Sequence, residues 1–75
     1  MKLTKFVVRL DCKYLHEGEE VRATYSSAEI VAIKTSAALE RAIRVKERLK
    51  ATAETITGAE YYNFRIVRIT EETVA

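Results

Sequence analysis

Polar and apolar residues alternate from Leu3 to Leu15. Phe6, Val8, Leu10, Cys12 and Tyr14 fall on one side, and Lys5, Val7, Arg9, Asp11 and Lys13 on the other. A period of two is that of a half-buried strand with one wet face. His16-Glu17-Gly18-Glu19 follows. It reads as a hairpin connection of about four residues, with Gly18 free to take a positive φ. Glu20 to Tyr25 alternates again, with Val21, Ala23 and Tyr25 inward. This second strand should pair antiparallel with the first.

The period then changes. Val31, Thr35, Ala38, Ala42, Val45 and Leu49 recur at alternating steps of four and three, and Ile56 follows in phase with only the Thr52/Ala53 turn left loose, which places them on one helix face. Ser26 and Glu29 have the spacing of a capping box ahead of this seam. The pattern predicts one helix from about Ser27 to about Thr55, stopped by Thr57-Gly58 with Gly58 at the left-handed position. Ile30-Val31-Ala32-Ile33 carries an alternative. Its branched residues also suit a short strand, followed by a shorter helix capped at Thr35 or Ser36.

Glu60 to Thr70 alternates as a last strand. Tyr62, Phe64 and Ile66 are placed inward, and Tyr61, Asn63, Arg65, Val67 and Ile69 outward. Arg68 shares the inward side and should keep its head in water near the sheet's end. Glu71 to Ala75 reads as a frayed tail. A helix of roughly 28 residues spans ~42 Å, and a strand of about twelve spans ~40 Å, so the two should match in length. The expected fold is α+β, a single domain over residues 1–75 in the order β-β-α-β. Its three-stranded sheet has the spatial order 2-1-3, with one long helix on one face and the other face bare.

Composition adds one constraint. In a chain of 75 residues a single core rarely supplies more than about 3–5 kcal/mol, and small domains usually need a staple. One cysteine, Cys12, makes no internal disulfide. With the single histidine His16 it cannot complete a closed zinc site, so no metal and no cofactor is expected. A partner protein, either a second copy in a homodimer or a larger protein, is the expected support. The apolar run Phe6-Val7-Val8 is too short for a signal peptide and no run reaches a membrane span. With one free thiol, this points to a cytoplasmic protein that engages no membrane.

No catalytic set stands out. Cys12 and His16 lie about 13 Å apart along an extended strand, and nothing follows to orient the imidazole. Glu17, Glu19 and Glu20 lack the pattern of a calcium loop. Gly18 and Gly58 stand alone, which excludes a phosphate loop. The chain is expected not to be an enzyme.

Two surfaces remain. The bare sheet face is expected to combine Val7, Arg9, Tyr61, Arg65 and Val67 into a sticky, partly basic patch for a protein partner. The alternative is nucleic acid, held by Arg9, Lys13, Arg22 and Arg65 of that face. The helix stripe Arg41, Arg44 and Arg48 would join them. A net charge of +2 is small for a dedicated nucleic-acid binder.

Overall fold

The structure, a computed structural model, describes residues 2–73, with side chains as far as Ile69. Strand β1 (Lys2–His16) is the spine, and every other strand pairs with it antiparallel. Strand β2 (Glu19–Ser26) returns along one edge, from the His16–Glu19 pair to the Arg9–Ser26 pair. Glu17 and Gly18 alone form the turn, with φ of 52° and 82°. Both are left-handed, as a two-residue type I′ hairpin requires. The loop is therefore tighter than its composition suggests.

Ile30-Val31-Ala32 is a strand, β3, and not the first turn of a helix. It continues along the same edge as β2 and pairs Thr4 with Ala32 and Phe6 with Ile30. The reason lies in β1. Beyond the end of β2, its edge would expose unpaired amides and carbonyls, and β3 satisfies them. Ser26 and Glu29 cap nothing. Instead the neighbouring Ser27 bridges the gap between β2 and β3: its Oγ accepts from Val8 N–H at 2.9 Å, and its own N–H donates to Val8 C=O at 2.8 Å. Glu29 pairs with Lys5 at 3.8 Å.

Helix α1 spans Thr35–Ala53, so the helix predicted from Ser27 to Thr55 is too long at its N-terminal end. Lys34 occupies the N-cap without a side-chain cap bond. The Thr35 hydroxyl instead meets that of Thr4 at 3.0 Å, which pins the start of the helix to the start of β1. Glu54 is the C-cap. Gly58, at φ 87°, turns the chain into β4 and does not end the helix.

Strand β4 (Ala59–Thr73) pairs with the other edge of β1. The three long strands thus have the expected order, with β1 central, and β3 is a fourth on the β2 side. The expected tail at Glu71 is strand as far as Thr73, and residues 74 and 75 lie outside the described residues.

The helix packs on the side of the sheet that carries Phe6, with Ala38 and Ala42 fully buried against it and Ile30, Ala32 and Ile66 around them. Alanines let the helix backbone approach closely. Its 19 residues span about 28 Å, against about 50 Å for a 15-residue strand. The molecule is 52 × 20 × 14 Å. The helix therefore covers only part of the sheet, and the β1–β2 hairpin projects beyond it.

Candidate interaction surfaces

The helix-free face is organised around Asp11. Asn63 Nδ2 donates to Asp11 Oδ2 at 2.8 Å, and Thr24 Oγ1 donates to Oδ1 at 2.9 Å. Arg65 Nη1 reaches Oδ1 at 3.3 Å and also donates to Asn63 C=O at 2.9 Å. One carboxylate thus ties β2, β1 and β4 together. The Asn63 amide, then the Thr24 hydroxyl and the Arg65 charge, hold its pKa below the ordinary 3.8.

Two irregularities shape β4. One extra residue sits between Arg65 and Tyr62, opposite Arg9 to Asp11, and another between Thr70 and Arg68. At the first, Asn63 adopts φ 55°. Asparagine tolerates the left-handed region better than most residues, and the result is a bulge. An extra residue inverts the alternation that precedes it. Tyr61 is therefore paired with Cys12, on the helix side, and Tyr62 with Asp11, on the bare side. The assignment of Tyr61 to the bare face and Tyr62 to the core is corrected on both counts.

The five residues expected to form one patch are divided by this arrangement. Arg9, Arg65 and Val67 lie on the bare face with Val7, but Val7 is 4% exposed and Arg65 is held by Asp11. Tyr61 lines a cleft on the opposite side, with Leu10, Tyr25, Leu49 and Ile56. This cleft, about 260 Å³, opens where the end of the helix leaves the sheet. Desolvation there, chiefly, raises the pKa of the Tyr61 hydroxyl.

The basic residues are divided too. Lys13 pairs with Glu60 at 3.2 Å and Arg22 with Glu20 at 3.2 Å on the bare face. Arg41 donates to Val31 C=O at 3.1 Å, and Arg44 lies 3.8 Å from Glu40. Arg48 is exposed on the helix. The helix set and the sheet set sit on opposite sides of the sheet, so one nucleic-acid strand could not follow both.

Cys12 is buried at the centre of the sheet and His16 is exposed at the end of β1. Among the described residues no group of three or more histidine, cysteine, aspartate or glutamate side chains could hold a metal ion. Among the described residues no helix is long and apolar enough to cross a membrane. Comparison with protein families, characterised proteins and solved structures returns no match.

Apolar side chains at the surface are what sequence reasoning missed. Leu15, Tyr25, Ile33, Leu39, Ile43, Ile56 and Ile69 are each at least 40% exposed. Tyr25, Leu39, Ile43 and Ile56 are exposed because the helix is short and narrow-seamed. The signal was present in Leu39 and Ile43, which fall off the Ala38–Ala42 seam.

Proposed function

We propose that this chain is a non-catalytic protein-interaction module, whose partner covers apolar surface that the short helix leaves bare. One observation carries the reading. The buried apolar side chains among the described residues are Phe6, Val7, Val8, Leu10, Cys12, Ala38 and Ala42, mostly small, while larger leucines, isoleucines and a tyrosine remain in water. Monomeric proteins expose single apolar residues freely, but a run of them beside an open core marks an interface. The arrangement favours the helix side over the bare sheet face, where Arg65 and Lys13 are already engaged by acids.

Nucleic-acid binding is the competing outcome. The test is affinity capture from host extract at roughly 50 and 200 mM salt, a range over which phosphate contacts collapse. The expected result is a protein partner retained at both concentrations and lost with the variants Tyr25→Ser and Ile56→Ser. Recovery of nucleic acid alone, at low salt only, would overturn the proposal.

A further inference from the structure

Two arginines stand opposite each other on the bare face. The pairing of β1 with β4 sets Arg9 against Arg65, in the regular stretch that also sets Val7 against Val67. Like charges directly opposed on neighbouring strands repel. Asp11 lies 3.3 Å from Arg65 and makes no such pair with Arg9.

The other cations of this face each have an acid. Lys5 pairs with Glu29 at 3.8 Å, Lys13 with Glu60 at 3.2 Å and Arg22 with Glu20 at 3.2 Å. Among the described residues, Arg9 is the cation of this face whose guanidinium meets neither an acid nor a hydrogen-bond acceptor. It is nevertheless half-buried. A cation in that position has given up part of its hydration with nothing in return.

Arg65 is already oriented. Its Nη1 reaches Asp11 Oδ1 at 3.3 Å and donates to Asn63 C=O at 2.9 Å. These two contacts hold the guanidinium plane. Its Nε and Nη2 bond nothing among the described residues. Together they form the side edge of the fork, whose spacing matches the two oxygens of a carboxylate. Arg9, Arg65 and Asp11 carry one net positive charge between them, so a single anion would complete the set.

The surroundings favour a carboxylate over a nucleic-acid backbone. Successive phosphates need a row of open cations. Here the neighbours Lys5, Lys13 and Arg22 are engaged, and a phosphate chain would have to displace an acid from each. The next pair along the face, Val7 and Val67, is apolar, with Val7 4% exposed. That suits the methylene stem of an acidic side chain better than a sugar–phosphate chain.

We propose that Arg9 and the open edge of Arg65 together hold one carboxylate from an acidic segment of a protein partner, on the sheet face away from the helix. The apolar surface around Tyr25 and Ile56 lies on the other side, so this site goes beyond the interaction reading and can fail without it.

The test is NMR of the arginine Nε–Hε groups at about 10 mM salt, where screening extends over roughly 30 Å. The probe is a capped tetraglutamate peptide. The Arg9 and Arg65 signals should shift together and saturate, while that of Arg48, exposed on the helix, moves little. Arg9→Gln should weaken binding about tenfold, as loss of one charge-assisted hydrogen bond does. Arg9→Lys, which keeps the charge and loses the fork, should fall between the two. Arg48→Gln should bind as the wild type does.

The wild-type shifts decide the matter even if a variant folds poorly. Shifts spread evenly over Arg9, Arg65 and Arg48 overturn the proposal, as does equal binding of a capped tetraglutamine peptide. Tighter binding of a thymidine pentanucleotide at the same two arginines overturns it too, and assigns the site to phosphate. None of these outcomes bears on capture through Tyr25 and Ile56, which the salt-dependent pull-down tests separately.

Discussion

Asn63 donates its side-chain amide to Asp11 at 2.8 Å from a backbone turned to φ 55°. That single contact joins a left-handed residue in one strand to a carboxylate in its neighbour. It goes with the bulge that sets which tyrosine lies on the helix side of the sheet and which on the other. Placement of Tyr61 in the apolar cleft follows from that bulge.

Two substitutions separate the backbone from the hydrogen bond. Asn63→Gly and Asn63→Val both remove the amide. Only glycine keeps the left-handed conformation without strain, and a side chain forced there costs about 1–2 kcal/mol. Urea unfolding should therefore show Asn63→Val less stable than Asn63→Gly by that margin. Equal stability would mean that the bulge is dispensable.

The same carboxylate predicts an acid-sensitive sheet. Asp11 has its folded pKa depressed below 3.8, chiefly by the Asn63 amide. A depressed acid contributes stability that is complete above its unfolded value and is lost as pH falls through its folded one. Thermal melts should thus be flat with respect to Asp11 above pH 3.8 and decline below it. Asp11→Asn should flatten that part of the decline. If wild type and variant lose stability in parallel as acid is added, the network does not operate.

Much of the fold was legible because it is written in local periodicity. Phe6 to Tyr14 and Val21 to Tyr25 alternate cleanly, and both strands lie where that pattern puts them. Three features were not legible, each for a reason outside its own segment. Ile30 to Ala32 continues the helical seam in phase, and only the unpaired edge of β1 beyond Ser26 makes it a strand. With those residues gone, the helix is too short to cover the sheet, which leaves Tyr25 and Ile56 exposed. The bulge at Asn63 inverts what precedes it, so Tyr61 and Tyr62 exchanged faces. An asparagine amid strand-forming residues was the available clue. The bare-face patch drawn through Tyr61 assumed an unbroken pleat.

The loop after β2 provides a direct check on the helix boundary. Ser27 Oγ satisfies the N–H of Val8, whose side chain is fully buried. Ser27→Ala orphans that amide at a cost of about 1–3 kcal/mol. Ser26→Ala, at an exposed strand end, should change stability by no more than about 0.5 kcal/mol. A helix capped at Ser26 would reverse this order, and denaturant melts of the two variants decide between them.

Helix rotation can be tested in the same way, because adjacent residues have opposite roles. Ala42 is fully buried against Phe6, while Ile43 is half exposed. Ala42→Leu forces an isobutyl group into a contact built for a methyl and should cost about 1–3 kcal/mol. Ile43→Ala removes a side chain that is half exposed and should cost less, about 1 kcal/mol or below. A clear penalty at Ala42 beside a small one at Ile43 would confirm that the first residue faces the sheet and the second does not; similar penalties would mean that the helix is rotated.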